Sequence, residues 1–190
     1  MLDWKLIRLG DICVTNKNSY SSKDNWKFVN YLDTGSITEN KITELQYINI
    51  ETDKMPSRAR RKVIKNSILY STVRPNQLHY GIIKGPVDNL LVSTGFTVID
   101  VDTNKAIPEF IYYLLTQNNI TEQLQAIAEQ SVSTYPSIKS SDIEDLEFKL
   151  PNFIIQNKIV SILDTIDSKI CQNEKINNNL EQQVSVLYQS

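Results

Sequence analysis

Hydrophobic positions change rhythm along this chain, and the changes mark out three stretches. In the first hundred residues, short runs rich in β-branched and aromatic side chains alternate with turn formers. The opening Trp4, Leu6, Ile7 and Leu9, followed by Gly10, Asp11 and Ile12, reads as an edge strand running into a turn and a short helix. Strands are predicted at Phe28 to Leu32, Tyr47 to Ile50, Val63 to Ile64, Ser67 to Thr72, Gly81 to Ile83 and Phe96 to Val101. They suit a mixed or antiparallel, partly barrel-like sheet. From Pro108, well placed as a first helical residue, the apolar residues Phe110, Ile111, Leu114, Leu115, Leu124 and Ile127 recur at helical spacing. They predict one amphipathic helix, or two broken near Asn118 and Asn119. A polar loop from Ser131 to Ser137 follows, then a short helix capped by Ser140 or Ser141 and ending near Leu146. A strand over Glu147 to Leu150 is closed by Pro151.

The last forty residues obey a different rule. Ile159, Leu163, Ile166, Ile170, Asn173, Asn177, Leu180, Val184 and Leu187 fall in an unbroken 4,3 rhythm, which keeps one narrow stripe facing a partner helix. There is no glycine or proline between Asn152 and Ser190. With Asn152 as its cap, a helix of about 37 residues would run roughly 55 Å. The expected organisation is therefore α+β: one mixed domain over residues 1–150, then a long coiled-coil spacer and dimerisation helix over residues 151–190. Asn173 and Asn177 sit mid-seam, where amides paired across an interface would fix register at some cost in stability, a hydrated gap or a contact with a methylase being the alternatives.

Charge adds a second signal. The chain carries 20 basic and 22 acidic residues, a net charge of −2. Between Lys54 and Lys84, however, lie eight basic residues and no acidic one, so a +8 segment sits on a remainder of −10. A polyanion would meet one positive face on an acidic body. No apolar run reaches the roughly 20 residues of a membrane helix, and the amino terminus lacks a signal-peptide pattern. The cytoplasm is the expected compartment. Cys13 and Cys171, far apart and in unlike contexts, imply neither a disulfide framework nor a metal site.

Catalytic motifs are missing. A single histidine, His79, excludes most histidine-based metal sites and weakens any triad. No G-x-G-x-x-G or Walker A sequence offers a phosphate cradle, and the Asn-Pro-Pro-aromatic motif of amino-methyltransferases is absent. Glu147-Phe148-Lys149 has the form of half a nuclease metal site, a triplet that any strand of alternating polarity also produces. The chain reads as a non-enzyme.

Asn66-Ser67-Ile68-Leu69-Tyr70-Ser71-Thr72-Val73-Arg74-Pro75-Asn76, then Ser93-Thr94-Gly95-Phe96-Thr97-Val98, closely resembles the specificity subunits of Type I restriction-modification systems. So does Trp4 to Ile12. Leu150 and Pro151 with Gln156, Ile159, Val160, Ile162, Leu163 and Ile166 resembles the boundary where that family's domain enters its spacer helix. The likeness covers the whole chain in order. It departs at Asn66-Ser67, where the family often has glycine and aspartate, and at Ser131, where it has glycine.

The resemblance implies a half-size form with one target recognition domain, since full-length members resemble two units in tandem with antiparallel helices. A homodimer would then read a bipartite palindrome in double-stranded DNA. Modification subunits would supply S-adenosylmethionine and methylate an adenine in each half-site. Restriction subunits, where present, would bring ATP and Mg; this chain itself would bind no cofactor. Arg58, Arg60, Arg61 and Lys62 are the expected phosphate clamp, because guanidinium groups match phosphate oxygens without demanding a sequence. Arg74, Asn76, Gln77, His79 and Tyr80, on the turn after a strand, are candidates for base edges. Ser133, Thr134 and Tyr135 resemble a family segment near the DNA groove. Two rivals stay open: pairing with a different half-subunit, and a decoy that occupies a methylase without reading DNA.

Overall fold

The computed structural model describes residues 4–131 and 135–188. In chain order its elements are β1 (Lys5–Arg8), β2 (Cys13–Thr15), β3 (Phe28–Leu32), β4 (Ile37–Thr38), β5 (Lys41–Ile42), β6 (Gln46–Asn49), β7 (Ala59–Lys62), β8 (Ser67–Ser71), β9 (Tyr80–Ile83), β10 (Leu90–Ser93) and β11 (Phe96–Val101). Helices α1 (Pro108–Leu115), α2 (Asn118–Glu129) and α3 (Ser140–Glu144), strand β12 (Glu147–Leu150) and helix α4 (Phe153–Tyr188) complete them. The result is a mixed α+β domain followed by a long helix.

Alternation along two strands organises the domain. Every residue of β8 is buried, with Leu69 pointing to one core and Ile68 and Tyr70 to another. Its antiparallel neighbour β11 does the same, sending Phe96 and Val98 one way and Ile99 the other. A strand covered on both faces loses the polar half of its pattern and reads as a continuous apolar run. The sheet β2-β11-β8-β9 therefore stands in the middle. One face meets the sheet β6-β3-β10-β7 across Leu32, Ile83, Leu90, Val92 and Phe96. The other meets α1 and α2 through Phe110, Ile111, Leu115 and Leu124. Strands expected to form one barrel-like sheet thus divide into separate open ones.

The predicted strands at Phe28 to Leu32 and Phe96 to Val101 form with those bounds. The expected strand at Val63 to Ile64 does not; the chain pairs four residues earlier, where Ala59 is buried and the charged Arg60 stays exposed. The outer side of β7 is covered by residues 18–20, with the Tyr20 N–H on the Arg60 carbonyl (2.7 Å) and the Lys62 N–H on the Asn18 carbonyl (3.0 Å), so the backbone is paired while the Arg60 side chain stays in solvent. Strand β10 carries no alternating signal because Leu90, Leu91 and Val92 are all buried between cores. Of the two readings of the amphipathic segment, the broken one holds, with the interruption at Thr116 and Gln117.

Helix α4 is 36 residues long, about 54 Å at 1.5 Å per residue. Its cap is Asn152, whose Oδ1 accepts the Ile155 N–H at 3.1 Å. The rod does not leave the domain at once. Ile159, the first residue of the expected seam, packs partly on the main core together with Val160. That position serves the domain because the stripe facing it overlaps the start of the seam. Beyond it, the Tyr113 hydroxyl shares its proton between Asp164 Oδ1 (2.9 Å) and Asp167 Oδ2 (2.7 Å), and Lys41 pairs with Glu174 at 2.5 Å. Burial and the two carboxylates raise the Tyr113 pKa far above its ordinary value.

Gln156 fastens the joint. Its side chain is 1% exposed; Nε2 donates to the Pro151 carbonyl at 2.8 Å and Oε1 accepts the Ile107 N–H at 2.9 Å. That N–H precedes α1 and has no partner within the helix. Replacing Gln156 with Ala should leave both backbone groups unpaired and lower unfolding free energy by about 2–4 kcal/mol. Urea denaturation checks this, and a change below about 0.5 kcal/mol would remove Gln156 from that role.

Candidate nucleic-acid interface

Strand directions bring four loops to one end of the two large sheets. β10 runs into β11 through Thr94 and Gly95, β8 ends opposite the start of β11 (Ser71 beside Phe96), and β7 begins opposite the end of β10 (Ala59 beside Ser93). Backbone bonds then stitch the loops together. Thr94 N–H donates to the Arg58 carbonyl (2.9 Å), Thr72 N–H to the Gly95 carbonyl (2.8 Å), Ile138 N–H to the Thr72 carbonyl (2.8 Å) and Arg74 N–H to the Pro136 carbonyl (2.9 Å). Gly95 has a steric reason: a Cβ there would lie 2.9 Å from Thr34 Oγ1.

Arg58, Arg60 and Arg61, close together in sequence, share this edge with the distant Arg74. β7 holds a bulge: Val92 opposes Arg61 and Ser93 opposes Ala59, so Arg60 is the extra residue. Bulges redirect side chains, and here Arg60 is exposed while Arg61 is half-buried. Arg61 Nη2 reaches the Thr94 carbonyl at 3.5 Å, and its Nη1 is buried with no hydrogen-bond partner among the described residues. Burial lowers the Arg61 pKa, though a guanidinium stays charged. Arg58 is exposed at the mouth of the same strand.

Arg74 is held on the far side of the edge in an unusual backbone state. Its φ is +49°, a left-handed conformation uncommon for side chains with a Cβ. The following 3-10 turn, Pro75–Gln77, closes with the Gln77 N–H on the Arg74 carbonyl (2.9 Å). The guanidinium carbon lies 5.1 Å from the centre of the Tyr135 ring. Stacking of this kind holds the cationic plane at the surface with its donors outward. Asn76 and Gln77 are exposed on the same turn, which docks on α2 through the Asn76 N–H and Gln125 Oε1 (3.2 Å).

The remaining candidates lie elsewhere or serve other contacts. Lys62 pairs with Asp24 and sits 5.1 Å over the Trp26 ring. That contact, with the Ser21 N–H, holds the Asp24 carboxyl below its usual pKa. His79 Nδ1 donates to the Ile37 carbonyl at 2.7 Å, tying its loop to β4. Tyr80 is 7% exposed, stacked on Tyr70 at 5.8 Å; burial pushes its pKa to about 12. Its ring therefore belongs to the core and not to the surface. Lys84, the last residue of the basic segment, turns toward Glu109 (3.0 Å) and the long helix. Ser133 and Thr134 lie outside the described residues.

Sequence reasoning missed Thr94 as a ligand of Arg61, and Asp24 with Trp26 as partners of Lys62. Both contacts join segments that only the sheet pairing brings together. Among the described residues no cluster of three or more His, Cys, Asp or Glu side chains is arranged to hold a metal, and no helix is long and apolar enough to cross a membrane.

Known proteins share this architecture. The specificity subunit of the Type I restriction enzyme HindI from Haemophilus influenzae is 34% identical over 192 residues, covering all of this chain and 41% of that protein. The solved HsdS subunit from Thermoanaerobacter tengcongensis superposes with a TM-score of 0.75 at 25% identity, covering 97% of this chain and 47% of the other. The S subunit of a Type I system from M. genitalium shares the fold alone, at a TM-score of 0.58 and 16% identity over 90% of this chain and 41% of that one. The chain thus spans less than half the length of the relatives it matches. With its residues 1–182 matching the Type I restriction modification DNA specificity domain, the chain belongs to that family.

Proposed function

We propose that this chain is a DNA-reading unit that gives a Type I restriction-modification system its sequence specificity and does no chemistry itself. The observation that carries the reading is the edge where Arg58, Arg60, Arg61 and Arg74 meet on four mutually bonded loops. Arg58 and Arg60 are suited to phosphate oxygens, which position a protein without telling one sequence from another. Arg74, Asn76 and Gln77 carry the donors and acceptors that read guanine and adenine edges in the major groove. The buried side of Arg61 makes it a fixed charge beneath them.

The long helix supplies the second half of the function. Outside its contacts with the domain, α4 exposes Ile166, Ile170, Leu180 and Val184. They lie about 100° around the helix from Gln156, Val160, Asp167 and Glu174, which face the domain. An apolar stripe that the domain cannot cover asks for another helix. In our reading that helix comes from a second copy, packed antiparallel, so that two identical domains read the two halves of a palindrome. Two modification subunits carrying S-adenosylmethionine would methylate an adenine in each half, and a restriction subunit using ATP and Mg would cut unmodified DNA.

Three outcomes follow. Single-molecule sequencing of host DNA should lose one bipartite adenine-methylated motif when this chain is deleted. An unchanged methylome would favour the decoy reading. Changing Arg58 and Arg60 to Ala together should weaken binding to every sequence and flatten its dependence on salt by about two phosphate contacts. Affinity and salt slope equal to the parent's would remove this edge from the DNA. Inserting one heptad between Lys175 and Ile176, beyond the last contact with the domain, should part the half-sites by about 10 Å, or about three base pairs. A methylated motif of unchanged spacing in that variant would refute the helix as a ruler.

A further inference from the structure

The exposed stripe of α4 is self-complementary in one register only, and that register names its partner residues. Ile166, Ile170, Leu180 and Val184 are 48–53% exposed, with Asn173 and Asn177 exposed between them. In heptad terms these six alternate between the two seam positions, and antiparallel helices pair one kind of seam position with the other. Setting Ile170 against Leu180 of a second copy then sets Ile166 against Val184 and Asn173 against Asn177. Every apolar residue meets an apolar residue, and every amide meets an amide. Sliding by one heptad either way puts Asn173 against Val184 and Asn177 against Leu180, or Asn177 against Ile166 and Asn173 against Ile170. A seam asparagine facing an aliphatic side chain has no partner for its amide, which is how such residues select register.

We propose that α4 pairs antiparallel with α4 of a second copy about a two-fold axis at Lys175, closed by reciprocal Asn173–Asn177 contacts. This rests on the self-paired unit proposed above and specifies how it is built. Two further observations point to the same axis. Ile176, 56% exposed and off the seam, belongs to neither the domain face nor the stripe; with the axis beside it, the two copies of Ile176 cover each other. A parallel pair would set Ile176 against Glu181 instead. Moreover, among the described residues the polar contacts of α4 with its own domain end at Glu174, one residue before the axis. Each domain thus occupies its own half of the rod, and the rod's far half is left for the other. The like charges this pairing brings together, Asp167 with Glu181 and Glu174 with itself, are tempered from the domain side, because Asp167 accepts the Tyr113 hydroxyl and Glu174 holds Lys41.

Disulfide trapping in the full chain tests this, with exposed Cys171 changed to Ala and buried Cys13 left in place. Bridging needs Cβ atoms about 3.5–4.5 Å apart. On a non-reducing gel Ile176→Cys should shift most of the chain to twice its mass. Ile166→Cys alone should not, but mixing it with tagged Val184→Cys should give the mixed dimer. Self-linked Ile166→Cys would mean a parallel pair and would overturn the register while leaving a dimer standing. A chain that sediments as a dimer yet links at neither site overturns the register too. Sedimentation as a monomer at tens of micromolar would overturn both the register and the self-paired unit.

Discussion

The double burial of β8 and β11 is the constraint from which the domain follows. Two adjacent strands that must be apolar on both faces need a layer on each side. Here one layer is a second sheet and the other is the α1–α2 pair. Once that wall is fixed, its open end is fixed as well, because β8 stops where β11 starts. The loops that emerge there have no choice of neighbour. They are bonded to one another through Thr72, Thr94, Gly95 and Pro136, so the surface carrying the arginines rests on the most deeply buried strands of the molecule.

Charge on this surface is sorted by packing. Of the basic residues between Lys54 and Lys84, Lys62 is drawn onto Asp24 and Trp26, and Lys84 onto Glu109. Those contacts fasten loops and helices to the sheets and leave Arg58, Arg60 and Arg74 exposed. A guanidinium suits that position better than an ammonium, being planar, weakly hydrated and able to stack, as Arg74 does on Tyr135. A net charge of −2 is therefore compatible with a concentrated positive edge.

Helix α4 carries two stripes set apart around its circumference, one against the domain and one exposed. The domain-facing one is mostly polar: Gln156, Asp164, Asp167 and Glu174 make directional bonds that hold the helix at one angle. The other stripe is apolar and interrupted by two asparagines, Asn173 and Asn177. In the self-paired reading proposed above, hydrogen bonds would set the angle of this rod and the two asparagines its alignment.

Much of this was legible in residues alone. The 4,3 rhythm announced the long helix and its cap at Asn152, the paired apolar runs announced β8 and β11, and the run between Lys54 and Lys84 announced where positive charge is concentrated. These are local periodicities and compositions, which one segment carries by itself. Other features had no local signal. Strand β10, buried on both faces, lacks the alternation that marks a strand, and β7 is an edge strand written in arginines. Tyr80 reads like a base-contacting residue on a turn, yet the antiparallel pairing of β8 with β9 turns its ring onto Tyr70. Ile159 obeys the seam's rhythm but is claimed by the domain. Periodicity tells which residues share a face; which neighbour covers that face depends on pairings between distant segments, and those are made only when the chain folds.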